Sequence, residues 1–192
     1  MAWLWQRDID DEKRTPHIIV KLRGRLAHRG FRTRRAEKEL SGMGLRKGMR
    51  ILDFGCGSGI YTIAAARVVG EKGVVHAVDL HPTILEMVEN RARENGLKNI
   101  DIIYSDLETG LRRGSVDIVL LYGVLKSFGR RRELLFEAHR IMKKKGTLLV
   151  RQPGMKEDRI KELVLKDGFF RFSGKHGRIL KFSRIEGKFH EI

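Results

Sequence analysis

Gly55-Cys56-Gly57-Ser58-Gly59 places three glycines at alternate positions. The apolar run Arg50-Ile51-Leu52-Asp53-Phe54 precedes them. Ile60 to Val69 follows with helical character and is closed by Gly70. Glycine is needed where a backbone turns sharply and a ligand lies against it with no Cβ in the way. The first turn of a following helix adds unpaired N–H groups. Three acids accompany this loop. Asp53 lies just ahead of it, Asp79 comes 20 residues after Gly59, and Asp106 sits in Tyr104-Ser105-Asp106-Leu107.

The chemistry of such a set is specific. A carboxylate at Asp79 can accept hydrogen bonds from both hydroxyls of a ribose. One at Asp106 can accept from an exocyclic adenine amine, with Leu80 and Leu107 against the ring faces. Acids repel a pyrophosphate, whereas a carboxylate at Asp53 tolerates an amino group. The row therefore fits a nucleoside with a cationic tail.

The elements that must position these residues alternate in type. Strands are predicted over 50–54, 73–78, 100–104, 116–122 and 147–150. Helices are predicted over 60–69, from Pro82 to Asn95-Gly96, and over 131–143. Pro82 fits the first turn of its helix. Val116 to Tyr122 is almost wholly apolar, as a strand covered on both faces must be. Strand–helix alternation at these lengths means a parallel sheet covered by helices on both faces. Acids at the ends of successive strands then share one rim, where open α/β sheets bind ligands. At the flanks, 29–41 reads as a very basic helix and 156–167 as a helix stopping at Gly168. Residues 169–173 and 178–182 read as a hairpin around a four-residue loop, Gly174 to Gly177.

Ile51-Leu52-Asp53-Phe54-Gly55-Cys56-Gly57-Ser58-Gly59 resembles the first motif of the class I S-adenosylmethionine-dependent methyltransferases. Val78-Asp79-Leu80 resembles that family's ribose-binding acid, and Ser105-Asp106-Leu107 its adenine-binding segment. Arg140 to Leu148 resembles the approach to its fifth strand. The resemblance covers roughly residues 40–185, in order. It implies an α/β, Rossmann-like three-layer sandwich whose seven-stranded, mostly parallel sheet has an antiparallel last strand. It implies S-adenosylmethionine as cofactor, held by Asp53, Gly55, Cys56, Gly57, Gly59, Asp79, Leu80, Asp106, Leu107 and Tyr122. It also implies that the segment ahead of strand one helps form the acceptor pocket. Residues 1–45 are expected as a basic helical cap and 46–192 as the methyltransferase domain. The rival is a dinucleotide-binding Rossmann domain, which wants G-x-G-x-x-G. Here the spacing is G-x-G-x-G, with Ile60 where the last glycine would fall.

Methyl transfer from a sulfonium needs placement above all. A general base is needed only for an acceptor proton of high pKa. No catalytic motif stands out, and Tyr122, at the end of strand four, is the one weak candidate; its other reading is a packing aromatic. Leu121-Tyr122-Gly123-Val124 lacks the Asn/Asp-Pro-Pro-aromatic segment of families that methylate adenine amines or glutamine amides. Cys56 is the only cysteine. It reads as a small loop filler, which disfavours cytosine C5 and arsenite chemistry and excludes an internal disulfide or a Cys-based zinc site. No metal site is expected. His139 and His176 read as surface histidines, and Lys126 as solvent-facing.

Charge bears on the acceptor. The formal net charge is +16. Residues 1–50 hold 14 Lys/Arg against 6 Asp/Glu, residues 51–142 hold 12 of each, and residues 143–192 hold 14 against 6. Residues 21–35 are dense in Lys and Arg with His28 and Phe31 interleaved, a pattern seen where phosphates are paired and bases stacked. A solvated basic helix explains it equally. Five Asn plus Gln among 33% charged residues suggests a thermophile. No apolar run approaches the ~20 residues of a membrane span. The early charges at Arg7 and Asp8 do not fit a signal peptide, so the chain reads as soluble and cytoplasmic. Three functions follow. The favoured one is a methyltransferase on an anionic or lipid-like small molecule. The others are a methyltransferase on RNA or a nucleic-acid-associated protein, and a non-catalytic S-adenosylmethionine-binding module. Trp3 and Trp5 can cap the site or pack the N-terminal segment.

Overall fold

The computed structural model describes residues 30–187. Trp3, Trp5, His28, most of the basic run 21–35 and the last five residues lie outside the described residues, as does the side chain of Phe31.

The described chain begins with α1 (Gly30–Gly42) and continues through β1 (Arg50–Phe54), α2 (Ile60–Val69), β2 (Val74–Asp79) and α3 (Pro82–Glu94). Next come β3 (Ile100–Tyr104), β4 (Val116–Tyr122), α4 (Arg131–Ile141) and β5 (Met142–Arg151). The chain closes with α5 (Glu157–Leu165), β6 (Phe170–His176) and β7 (Ile179–Arg184). One seven-stranded sheet has the order β3-β2-β1-β4-β5-β7-β6. The β1–β5 pairings are parallel, and β7 runs antiparallel to both β5 and β6. Strand order reverses at β1, between β2 and β4.

Side chains alternate between the faces of a strand, and that alternation sorts the core. Ile51, Ile118, Leu120 and Leu149 pack with Ala64, Ala65 and Ala66 of α2 and with Ala36 and Leu40 of α1. Ala77 and Cys56 pack with Ile84, Leu85 and Val88 of α3. On the opposite face, Leu52, Val119, Leu121, Leu148 and Val150 meet Leu134, Leu135 and Ala138 of α4 and Ile160 and Val164 of α5. Helix α1 has no acid in its first turn and no base in its last. Burial holds it, since Ala36, Leu40 and Met43 enter the core, followed by Leu45. Each large apolar side chain so buried contributes about 1.5–3 kcal/mol.

Among the boundaries that differ from the sequence reading, two have a visible structural cause. Helix α4 stops at Ile141, not 143, because Met142 already pairs with Val116. Residues 143–146 bulge opposite Asp117 before Thr147 meets Ile118, and Lys143 closes the bulge onto Asp117 at 2.7 Å. In the hairpin, β6 continues to His176. Ser173 is extra between the pairs Phe172–Phe182 and Gly174–Lys181, a one-residue bulge. The turn is therefore two residues, Gly177-Arg178, with Gly177 at φ 56. A glycine in that first position is what a two-residue hairpin turn of the right twist requires. His139 also departs from expectation. It is buried under Phe169 and Phe170, with Nε2 2.8 Å from the Ile185 carbonyl oxygen. Among the described residues no helix is long and apolar enough to cross a membrane.

Candidate active site

The glycine loop joins the end of β1 to α2, beside the reversal in strand order. Gly55, Gly57 and Gly59 have φ of 68, 50 and 73°, a left-handed backbone that side chains disfavour. Sterics reinforce the choice at two of them. A Cβ on Gly55 would stand 2.7 Å from Val124 Cγ2, and one on Gly59 would stand 2.9 Å from Val88 Cγ2. Gly57 differs: its nearest neighbour would be the Gly55 carbonyl at 3.8 Å. The space above Gly57 is open, as a ligand lying on the backbone needs.

Two acids meet under this loop. Asp53 is 2% exposed and accepts the Thr62 hydroxyl at 2.6 Å. Burial drives its carboxyl up to about 6, against the Thr62 hydrogen bond and with help from the nearby charge of Asp79. Asp79 accepts the Gly57 N–H through Oδ2 at 3.2 Å and the His81 N–H through Oδ1 at 3.1 Å. Its carboxyl is also raised by burial, with those backbone donors opposing. Among the described residues neither acid has an ion-pair partner. Two buried carboxyls with no Lys or Arg paired to them among the described residues are an energetically costly arrangement, eased at Asp79 by the nearby His81. Cys56 packs against α3 beside them, its N–H on the Val78 carbonyl at 2.9 Å. Burial and the two acids push its thiol far up.

The third acid is placed differently. Asp106 is about half exposed and pairs with Arg130 at 3.4 Å. Leu80 is partly buried, whereas Leu107 turns into the core and is 8% exposed. The loop after β3, which carries Asp106 and Leu107, is anchored from behind by Glu137 of α4. Glu137 takes the Thr109 hydroxyl at 2.5 Å, the Thr109 N–H at 3.2 Å and the Arg140 guanidinium at 2.6 Å. Those bonds hold its carboxyl below the usual range despite burial. Sequence reading missed Glu137, because an acid in an amphipathic helix reads as surface.

Tyr122 stands at the end of β4 with its ring edge-on to Tyr61, centroids 4.5 Å apart. Its hydroxyl is buried with no hydrogen-bond partner among the described residues, and burial pushes its pKa well up. Lys126 is exposed, and its N–H reaches Gln152 Oε1 at 3.2 Å. Among the described residues no group of His, Cys, Asp and Glu could hold a metal ion.

A rim at the strand-order reversal, built from an alternating glycine loop and two buried acids, defines a nucleoside-binding α/β enzyme fold. Residues 45–173 match a family model described as a methyltransferase domain, and the chain belongs to the class I S-adenosylmethionine-dependent methyltransferase family. It is 42% identical over 74 residues to aklanonic acid methyltransferase DauC of Streptomyces sp. (strain C5), covering 38% of this chain and 34% of that protein. It is 29% identical over 114 residues to demethylmenaquinone methyltransferase of Staphylococcus aureus (strain MRSA252), covering 59% and 46%. The chain thus spans a third to under half the length of these curated relatives. A methyltransferase structure from Aquifex aeolicus superposes with TM-score 0.70 at 24% identity, over 78% of this chain and 89% of that one, a likeness of fold.

Proposed function

We propose that this protein transfers a methyl group from S-adenosylmethionine to a small, negatively charged organic acceptor. The observation that carries the reading is the pair of buried carboxyls, Asp53 and Asp79, with no Lys or Arg partner among the described residues, beneath a loop whose central glycine faces open space. S-adenosylmethionine supplies, when bound, a methyl group on an already activated cationic sulfur. The residues assigned to hold it are Asp53, Gly55, Cys56, Gly57, Gly59, Asp79, Leu80, Asp106 and Leu107, with Tyr122 packing beside them.

Each assigned residue has a separable task. Asp53 takes the amino end of the donor. Asp79, steadied by the Gly57 and His81 N–H groups, presents its remaining lone pairs to ribose hydroxyls. Asp106 exchanges its surface pairing with Arg130 for the adenine amine. Tyr122 and Tyr61 form an aromatic wall at the end of β4, which keeps water from the side on which an acceptor must approach. Placement then supplies most of the rate. Among the described residues the Tyr122 hydroxyl has no hydrogen-bond partner to take its proton, so the general-base role is not assigned to it.

The names of the relatives support a small-molecule acceptor. One names an organic acid, the other a demethylated menaquinone. The test is incubation with radiolabelled donor and fractionated cell extract. Label in the small-metabolite fraction is expected, and label confined to RNA or protein overturns the acceptor class.

A further inference from the structure

Beside the glycine loop lies a cavity lined by none of the residues assigned to the donor. It measures about 810 Å³ and lies between α1, the first turn of α2, the end of β5 and the β6–β7 turn. Such a volume falls within the range of small-molecule sites, roughly 300–1,000 Å³. Its polar wall carries Arg35, Glu39, Tyr61, Arg151, His176 and Arg178. Ala36, Ile60, Ile179 and the Tyr61 ring give it an apolar side.

The charges on that wall do not balance. Arg35 Nε meets Glu39 Oε1 at 3.2 Å. Arg151 Nη1 lies 3.7 Å from Glu39 Oε2, which also accepts the Tyr61 hydroxyl at 3.0 Å. Arg151 donates to the Tyr61 oxygen and lies over its ring, 6.0 Å from the centroid. One carboxylate is therefore shared by two guanidiniums. Arg178, exposed in the hairpin turn, has no ion-pair partner among the described residues. Three guanidiniums face one acid around this open cleft. Guanidinium forks match carboxylate and phosphate oxygens in pairs.

The cavity also adjoins the donor rim. Ile60 directly follows Gly59, Tyr61 packs against Tyr122, and Arg151 is the register partner of Tyr122. We propose that this cleft anchors the methyl acceptor, and that the acceptor is an amphipathic oxyanion. It carries a carboxylate or phosphate, held by Arg35, Arg151 and Arg178, on a ring or chain that lies against Ile60, Ile179 and Tyr61. The inference rests on the methyl-transfer reading only for naming this ligand the acceptor.

Ligand-observed NMR on the full chain tests it, with benzoate, phenyl phosphate and the neutral benzyl alcohol as probes. Saturable binding of benzoate or phenyl phosphate is expected, with whichever binds tighter identifying the headgroup. Benzyl alcohol is expected to bind about tenfold more weakly or worse, the factor that one lost charged hydrogen bond carries. Arg178→Gln, in an exposed turn, is expected to weaken the anions by a similar factor, and Arg35→Gln to do likewise. Affinity for S-adenosylhomocysteine, measured on the same samples, should not move and reports that each variant is folded. Equal binding of benzoate and benzyl alcohol, or anion binding indifferent to both substitutions, overturns the proposal. Anion binding without S-adenosylhomocysteine binding in the unaltered protein overturns the donor reading and leaves the oxyanion cleft standing.

Discussion

Asp79 accepts the backbone N–H of Gly57 at 3.2 Å, so the carboxylate that ends β2 also fixes the middle of the loop that follows β1. Loop and acid form one unit. Replacing Asp79 by Ala strands that N–H and removes the ribose acceptor together. Donor affinity, read by calorimetry, is expected to fall by about 1–3 kcal/mol. Unchanged affinity would remove Asp79 from the site.

Asp53 sets a pH dependence. Its carboxyl is raised to about 6 from an ordinary 3.8. The native state therefore binds the proton more tightly than the unfolded chain, and this group's contribution to stability declines as pH rises from about 4 to about 6, by about 3 kcal/mol in all. Donor binding has the opposite sign, because a cationic amino end favours the ionised carboxylate. Affinity should be level above about pH 6 and fall below it. Asp53→Asn should raise the neutral-pH melting temperature, weaken the donor and flatten both profiles. An unaltered binding profile in that variant would place the titrating group elsewhere.

Gly55→Ala and Gly59→Ala each demand a left-handed alanine and a Cβ within 3 Å of a valine methyl. A loss of about 1–3 kcal/mol is expected for each, seen as a lower denaturant midpoint. Val124→Ala should recover part of the Gly55→Ala loss, since Val124 is the colliding residue, and none of the Gly59→Ala loss.

Tyr122→Phe separates packing from catalysis. The hydroxyl is buried and unpartnered among the described residues, so its removal should leave stability unchanged or slightly higher. Turnover, measured with whichever extract fraction takes up label, should be retained. A turnover loss of about a hundredfold or more would assign Tyr122 a proton-transfer role.

Asp106→Ala removes only a half-exposed pairing with Arg130, which is worth about 0–1 kcal/mol. The melting temperature should stay put while donor affinity drops. A drop in both would mean that the loop collapses.

The sheet was legible because its central strands are covered on both faces. Leu52-Asp53-Phe54 and Val116 to Tyr122 carry apolar runs that solvent-exposed segments do not. The glycine loop was legible for a related reason, since close approach of backbone excludes other residues. Contacts between distant segments were not. His139 reads as a lone polar residue on a helix, and only the fold of Phe169 and Phe170 over it makes it interior. Arg35, Arg151 and Arg178 come from a flanking helix, a strand end and a turn, and nothing local in the sequence says that they meet. The basic run at 21–35 reads as a strip for phosphates, while the proposed oxyanion cleft takes one residue of that run with two from the far end. In the hairpin, the glycines at 174 and 177 look alike, yet one follows the bulge and the other makes the turn.

Calorimetric titration of the full chain with S-adenosylmethionine, and separately with NAD, tests the central claim most directly. Saturable binding of S-adenosylmethionine on the order of micromolar, weakened by Asp79→Ala and absent with NAD, is expected. Heat from NAD and none from S-adenosylmethionine would contradict it.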